Sequence, residues 1–185
     1  MEGELLCAAK RGDSAAFETL MSAYERKIYG LCLRMMGNTH DGEDAAQEAM
    51  LRIWQKLGQC RDEAALPTWI YRVTASACTD ALRRRSRQAA PSLEGLREEG
   101  FDAADPALTP EDAAQESERR RAMDEAIAAV PPDMRSVFLM RDVHGLSVEQ
   151  TARALGVSQG TVKSRLSRAR EKIARRLRES GLHTA

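Results

Sequence analysis

The stretch SVEQTARALGVSQGTVKSRLSRAREKIARRL, residues 147–177, decides how the carboxy-terminal part of the chain folds. Ser147, with Gln150 three residues later, forms a capping box that predicts the start of a short helix. Gly156 permits a tight left-handed turn, and Ser158 can cap the helix that follows. Two helices joined by such a turn are typical of the helix-turn-helix that reads DNA.

The second helix of this motif is predicted to present a polar, basic face to DNA. Val162 and Leu166 are spaced to anchor it on the first helix, where the small Ala152 allows close approach. Residues 163–178 include eight basic residues and one acidic residue, so binding to phosphates should weaken steeply as salt rises. The alternative is a solvated basic helix that recognises no DNA sequence, but this alternative does not explain the capped turn. The predicted duplex-DNA contacts are Ser158, Gln159, Thr161, Lys163, Ser164, Arg165 and Arg168.

Two more helices are predicted just before the helix-turn-helix. Pro110, at a first helical position, begins one that ends at Pro131. The other runs from about Asp133 to His144, and Gly145 suits a left-handed C-terminal turn after it.

The amino-terminal part of the chain is predicted to be helical as well. Asp13 can cap a first helix, whose apolar residues recur at spacings of three and four until Gly37 ends it. A second helix is expected over 41–57, and a third, opened by Pro67, runs to about Arg87. No segment alternates with period two, so the predicted fold class is all-α, with no sheet.

An acidic stretch divides the chain into two domains. Residues 89–116 carry eight acidic residues and one basic residue, three prolines and no sustained apolar period, which predicts a flexible linker. The domains are then 1–88 and 117–185. The second has 14 basic residues against 8 acidic ones, which suits it to nucleic acid although the whole chain has no formal net charge.

Composition argues against several functional classes. The 185 residues are 43% hydrophobic and 30% charged, and no run approaches the roughly 18 apolar residues of a membrane span. The start of the chain lacks the layout of a signal peptide, so we expect a cytoplasmic protein without membrane insertion. A Gly-rich phosphate loop and a Ser-His-Asp grouping are missing, so we expect neither an enzyme nor a small-molecule substrate.

The cysteines do not predict a metal or redox site. Cys7, Cys32, Cys60 and Cys78 are far apart in the sequence, and the three histidines do not cluster with them. Reduced and mostly buried thiols are therefore expected, with no metal and no cofactor.

The segment DGEDAAQEAMLRIWQKLG, residues 41–58, predicts a docking strip on one face of a helix. Asp44, Gln47, Glu48 and Leu51 fall within two turns, so that acidic and polar groups surround one apolar side chain. An ordinary amphipathic helix with a solvated acidic side remains the alternative from this segment alone.

The segment LPTWIYRVTASACTDALRRRSRQ, residues 66–88, combines aromatic and basic side chains. Trp69 and Tyr71 offer aromatic surface, and the arginines offer phosphate contacts, a combination that suits single-stranded DNA with a base turned out of the stack. Packing in the core explains Trp69 equally well.

These segments, together with VPPDMRSVFLMRDVHGLSVEQ at 130–150, resemble the extracytoplasmic-function sigma factors of the sigma-70 family. The resemblance covers about residues 5–88 and 117–178. It implies a protein that recruits the β and β′ subunits of core RNA polymerase to promoter DNA. It also implies an acidic linker that threads a basic channel of the polymerase, and an anti-sigma factor that masks both domains.

The resemblance also assigns residues to roles. Ser76 stands where family members often carry the longer Asn. Duplex recognition at the minus-35 element falls to the helix-turn-helix residues named above. Contact with core polymerase falls to Asp44, Gln47, Glu48, Leu51 and Trp54, and contact with the minus-10 element falls to Trp69, Tyr71, Arg72, Ser76, Asp80, Arg83 and Arg84.

A stand-alone helix-turn-helix repressor or activator is the rival hypothesis. Such a protein binds a palindrome as a dimer. No dimerisation helix is evident in the sequence, and the arginine-rich segment at 66–88 would have no task in it.

Overall fold

The computed structural model describes residues 2–88 and 110–181, and every regular element in these two stretches is helical. The all-α prediction is therefore confirmed. The α-helices are, in chain order, α1 Glu2–Lys10, α2 Ser14–Ser22, α3 Glu25–Met36, α4 Thr39–Lys56, α5 Leu66–Gln88, α6 Pro110–Ala128, α7 Pro132–Phe138, α8 Val148–Leu155 and α9 Gln159–Glu179.

The prediction of one continuous helix from Asp13 to Gly37 was wrong. The chain turns between α2 and α3, where Tyr24 adopts φ −113° and ψ −18°. Helix α2 packs against α1, a helix that the sequence had not indicated, and the Tyr24 hydroxyl donates to Glu2 Oε1 at 3.0 Å. Because apolar residues recur at helical spacing on both sides of the break, periodicity could not reveal it.

Helices α3 and α4 form a tight antiparallel pair. Gly37 ends α3 at φ 77°, and the Asn38 side chain caps α4 by accepting from the backbone N–H of Asp41 at 2.8 Å. A Cβ atom at Gly42 would lie 2.9 Å from Leu33 Cα, so only glycine allows the two helices to come this close. The predicted second helix is confirmed, with its start at Thr39 rather than Asp41.

The cysteines are unpaired, and three of the four are buried. Cys7 is exposed on α1, whereas Cys32 and Cys78 meet in the core between α3 and α5 with their sulfur atoms 3.5 Å apart. The hydrogen bond from Cys78 and burial both raise the pKa of the Cys32 thiol. The neutral thiol is therefore the stable form in this core.

Helix α6 begins at Pro110, as predicted, within the stretch 89–116. Residues 89–109 lie outside the described residues, while 110–116 form the start of α6. The predicted helix after Pro131 is confirmed as α7, which continues into a π-helical turn, Leu139–Val143, before Gly145 reverses the chain at φ 71°.

The two domains pack against each other. Helix α3 contacts α6 and α7, and α5 contacts α8. Buried side chains from both domains, such as Met35 and Leu139, belong to one continuous apolar core. Across 2–88 and 110–181, we find no helix with both the length and the apolar character needed to cross a membrane.

Candidate nucleic-acid interface

The helix-turn-helix is fixed by the caps that the sequence predicts. The backbone N–H of Gln150 donates to Ser147 Oγ at 3.0 Å, and the N–H of Ser147 donates back to Gln150 Oε1 at 2.8 Å. Gly156 takes φ 66° in the turn, and Ser158 Oγ caps α9 by accepting from the Thr161 N–H at 3.1 Å. These local bonds set the direction in which α9 leaves the turn.

A small apolar core of its own holds the motif together. Val137 of α7, Ala152 of α8, and Val162 and Leu166 of α9 are buried against one another. The anchoring roles predicted for Val162 and Leu166 are therefore confirmed.

The opposite face of α9 is exposed and basic. Lys163, Ser164 and Arg168, all predicted contacts, lie along it, and Gln159 is exposed in the first turn. Ser167 lies on the same face, one turn after Lys163, and was not among the predicted residues. The structure thus presents hydroxyl and cationic groups in a single strip, which we call the α9 strip: Lys163, Ser164, Ser167 and Arg168.

The other predicted α9 residues have partners within the protein. Arg165 Nε lies 3.3 Å from Asp133 Oδ2, so this guanidinium is paired with the start of α7. The hydroxyls of Ser158 and Thr161 are 2.9 Å apart at the helix cap. These three side chains are therefore less free to meet DNA than Lys163 and Arg168 of the α9 strip.

Arg170 braces α9 from the side, a role that the sequence did not indicate. Its Nε and Nη2 atoms donate to the two carboxylate oxygens of Asp142, each at 2.7 Å. This bidentate pair ties the middle of α9 to the turn that follows α7.

A second exposed strip runs along α5. Arg72, Ser76, Asp80 and Arg83 follow each other at helical spacing on one face, and Arg84 is exposed beside them. Trp69 is half-buried at the start of this face, packed against the core. We call Trp69, Arg72, Ser76, Asp80, Arg83 and Arg84 the α5 strip.

Tyr71 is separated from the other residues predicted to contact the minus-10 element. Its side chain is only 6% exposed, and its ring centroid lies 5.2 Å from that of His144 in the second domain. Burial raises the pKa of the Tyr71 hydroxyl. Tyr71 therefore lies where the domains meet, on another side of α5 from Arg72 and Ser76.

Arg52 joins α4 to α5. Its Nε donates to Glu48 Oε1 at 2.7 Å, and its Nη1 donates to Asp80 Oδ2 at 2.6 Å. The hydrogen bond to Asp80 is the main cause of the raised pKa of Arg52, and the hydrogen bond to Glu48 contributes less. One cation thus compensates the only carboxylate of the α5 strip and a carboxylate on the predicted polymerase-facing side of α4.

The predicted docking strip on α4 is largely free. Asp44 and Gln47 are exposed, and the apolar Leu51 between them and the helix end is 51% exposed. Trp54 instead packs edge-to-face on Phe17 of α2, with ring centroids 4.7 Å apart. We call Asp44, Gln47, Glu48 and Leu51 the α4 strip, which leaves out Trp54.

The described part of the chain contains no candidate metal site. Among residues 2–88 and 110–181, no three His, Cys, Asp or Glu side chains come together in a way that could hold an ion.

Comparison with known proteins matches both halves of the chain. Residues 20–88 match Sigma-70 region 2, and residues 120–173 match Sigma-70 region 4. A relative in Mycobacterium tuberculosis, the ECF RNA polymerase sigma factor SigM, is 35% identical, with 95% of this chain and 84% of that protein covered. The ECF RNA polymerase sigma factor SigW of Bacillus subtilis is 33% identical, with 92% and 93% covered.

Solved structures share the fold. The sigma factor RpoE of Bartonella quintana, solved with the anti-sigma factor NepR, superimposes with a TM-score of 0.71 at 19% identity, covering 88% of this chain and 96% of that one. CnrH, solved with the cytosolic domain of CnrY, gives a TM-score of 0.67 at 20% identity, covering 96% and 97%.

Matches to regions 2 and 4 in their order along the chain do not favour a stand-alone repressor, for which the helix-turn-helix alone would suffice. The relatives extend over almost the whole chain at 33–35% identity. The chain therefore belongs to the extracytoplasmic-function sigma factors of the sigma-70 family, which direct RNA polymerase to specific promoters for transcription initiation.

Proposed function

We propose that the three exposed strips divide the work of initiation among them. The α4 strip binds core RNA polymerase, the α5 strip reads and opens the minus-10 element, and the α9 strip reads the minus-35 element in duplex form. The observation that carries this proposal is the α9 strip, in which Lys163, Ser164 and Arg168 are exposed on a helix whose opposite face is buried.

The chemistry of the α9 strip fits a major groove. Lysine and arginine donate to guanine edges and to phosphates, and short hydroxyls donate to or accept from either. The helix is held by an apolar core and by the Arg170 pair, so it is preorganised before DNA arrives.

The α5 strip fits a single strand better than a duplex. Arg72, Arg83 and Arg84 offer cations to the backbone, and Trp69 offers half of an aromatic surface on which a base can stack. Arg52 offsets the charge of Asp80, so that carboxylate repels the phosphates less.

The α4 strip has the composition of a protein interface. An exposed apolar residue, Leu51, is surrounded by polar groups, which is how the centre and rim of an interface differ. This arrangement supports docking to the β′ subunit, with further contacts of the second domain to β.

We also propose an anti-sigma partner, a polymerase contact for the linker and a cellular location. An anti-sigma factor covers both domains, in keeping with the partners of RpoE and CnrH in their solved structures. The acidic linker contacts a basic channel of the polymerase, the protein acts in the cytoplasm, and it catalyses no reaction of its own.

Leu51→Ala tests the α4 strip. If Leu51 anchors the centre of the interface, its truncation costs more than about 1 kcal/mol, so the affinity for core polymerase should fall about tenfold. Val143→Ala is the matched control, because Val143 is the other large exposed apolar side chain among the described residues, at 42%. Unchanged binding of Leu51→Ala to core polymerase would remove the α4 assignment.

Lys163→Ala tests the α9 strip. Loss of one phosphate contact should reduce the slope of log affinity against log salt by about 0.9 for duplex promoter DNA bound by the holoenzyme. Lys56→Ala removes an equal charge from the exposed end of α4 and serves as the control. Equal slopes for both variants would contradict the assignment.

A further inference from the structure

One guanidinium is shared between the α4 strip and the α5 strip. Arg52 projects from α4, and its side chain is only 18% exposed. Its Nε atom donates to Glu48 on the same helix, whereas its Nη1 atom donates to Asp80 on α5. Because the two bonds use different nitrogen atoms, the planar guanidinium serves both carboxylates in a single orientation.

The two carboxylates are more accessible than the cation between them. The Glu48 side chain is 36% exposed and the Asp80 side chain is 40% exposed, about twice the value for Arg52. A macromolecule that approaches α4 can therefore contact Glu48 directly. It reaches Arg52 less readily, so the influence of Arg52 on such a partner has to pass through the carboxylate.

One positive charge cannot compensate two negative charges. Arginine keeps its proton at every pH at which proteins are folded, so the group of Glu48, Arg52 and Asp80 has one uncompensated negative charge at neutral pH. The two carboxylates compete for the same cation. If one of them loses its charge, the guanidinium is free to pair more closely with the other.

This competition does not require the helices to move. Ile53 of α4 and Ala77 of α5 are fully buried in one apolar core. A second ion pair ties the same two helices, since Arg85 Nη1 lies 3.0 Å from Asp41 Oδ2. The backbones are therefore held in place, and only the side chain of Arg52 has to shift between its two acceptors.

We propose that Arg52 is a positioning residue through which Asp80 on α5 sets how strongly Glu48 on α4 binds core polymerase. While Asp80 holds part of the cation, Glu48 keeps negative charge for a hydrogen-bond donor of the polymerase. Without the charge of Asp80, Arg52 pairs with Glu48 alone and neutralises it. The inference rests on the proposed function, because it requires Glu48 to contact the polymerase.

Asp80→Asn in the full chain tests this transmission. The amide keeps the size of the side chain and removes its charge, so the affinity for purified core polymerase should fall about threefold. The anisotropy of a fluorophore on Cys7, the exposed native thiol, measures the affinity. The titration contains no DNA, so that a contact between Asp80 and the promoter cannot contribute. Unchanged core affinity of Asp80→Asn would overturn the inference.

Glu48→Gln supplies the decisive background. The double variant of Glu48→Gln and Asp80→Asn should bind core polymerase as the Glu48→Gln variant does, because Arg52 then has no charge to neutralise at position 48. If Asp80→Asn lowered core affinity equally in both backgrounds, its effect would not pass through Glu48, and the inference would be wrong.

Arg85→Gln is the matched control on the same helix as Asp80. It breaks the ion pair with Asp41 and so removes a tie between α4 and α5 that involves neither strip. Core affinity should not change. A threefold loss in Arg85→Gln as well would mean that core affinity responds to any loosening between the two helices, which contradicts a specific role of Arg52.

Arg52→Gln removes the bridge itself. Adding Asp80→Asn to this variant should change core affinity no further, since no cation is left to redistribute. Arg52→Lys keeps the charge without the planar fork and should restore part of the effect of Asp80→Asn. Circular dichroism of each variant reports whether the helices are intact. A full threefold effect of Asp80→Asn in a helical Arg52→Gln chain would overturn the inference.

The same measurements separate the inference from the proposed function. Glu48→Gln alone should lower core affinity if the α4 strip binds the polymerase. A Glu48→Gln chain with wild-type affinity would remove Glu48 from that interface, and the proposed function would fail at this residue. If Glu48→Gln lowers core affinity and Asp80→Asn does not, only the inference about Arg52 fails.

Discussion

Two contacts of the second domain differ in what they bury. The helix-turn-helix is closed by Val137, Ala152, Val162 and Leu166, all of them apolar. The contact with the first domain also buries apolar groups, but it includes the Arg135 guanidinium, the His144 imidazole and a half-exposed ion pair between Arg34 and Asp124.

The difference predicts how each contact should respond to charge, pH and salt. Apolar burial depends little on charge, and the four side chains that close the helix-turn-helix carry no charge. Each polar group of the interdomain contact regains hydration when the domains part, which offsets part of the cost of opening. Charge, pH and salt should therefore affect the interdomain contact more than the contact that closes the helix-turn-helix.

The largest effect is expected inside the helix-turn-helix. Leu166→Ala should lower the free energy of unfolding by about 2–5 kcal/mol, because a buried leucine leaves a cavity. Denaturant unfolding of the full chain measures this. Leu51→Ala, at an exposed position, is the control and should change stability by less than about 0.5 kcal/mol. Similar losses for the two variants would mean that Leu166 stabilises the fold no more than an exposed leucine does.

The second-largest effect is expected from acid, which should weaken the interdomain contact. Burial, followed by the charges of Arg34 and Lys27, lowers the pKa of His144 to about 4, and the Tyr71 ring covers it from α5. The unfolded or opened chain takes up a proton near pH 6.5, before the packed chain does. Stability is therefore complete above pH 6.5 and falls as the pH drops towards 4, by at most about 3 kcal/mol.

The measurement is the free energy of unfolding from pH 7 to 4.5 for wild type and for His144→Gln. The variant should lack the part of the slope that His144 contributes, whereas His40→Gln, with a side chain that is 87% exposed, should keep it. Parallel slopes for wild type and His144→Gln would contradict the burial of this imidazole.

A smaller and local effect is expected at the first cap of the helix-turn-helix. Ser147→Ala removes the acceptor for the Gln150 N–H and should cost about 1 kcal/mol. The unfolding midpoint measures this loss of stability. The radius of gyration of the folded chain should not change. Ser22→Ala, at the end of α2, is the matched hydroxyl deletion outside a cap. An expanded chain in Ser147→Ala would mean that the two contacts are coupled.

The smallest effect is expected for the ion pair between the domains. Arg34 and Asp124 are about one-third exposed, at 34% and 37%, so a double-mutant cycle of alanine variants should give a coupling below about 1 kcal/mol. The coupling should shrink further in 1 M salt, where charges are screened within about 3 Å. A coupling that persists unchanged in high salt would indicate a buried pair.

The sequence predicted the helix-turn-helix correctly, because hydrogen bonds and turns between near neighbours in the chain determine it. Ser147, Gln150, Gly156 and Ser158 each act within four residues, so the sequence was enough to place the helix-turn-helix and the exposed face of α9. The same periodicity also includes Ser167, which was not among the predicted contacts.

The remaining features depend on partners distant in the sequence. Arg135 bonds to a carbonyl 100 residues earlier, and Arg52 reaches Asp80 across 28 residues. A backbone carbonyl carries no side-chain signature, so no pattern could indicate the first of these contacts. The burial of Tyr71 could not be predicted either. It depends on contact with the second domain, which the sequence indicates only as joined to the first by a linker.

The bridge made by Arg52 has a consequence for genetics. Glu48 and Asp80 share one guanidinium, so loss of either carboxylate leaves the other as its sole partner and strengthens that bond. Substitutions at the two positions should therefore show epistasis: the double variant will differ from the sum of the single ones. Suppressors of a defect on α4, which we propose binds polymerase, can then arise on α5, which we propose binds the promoter, without any contact between the two ligands.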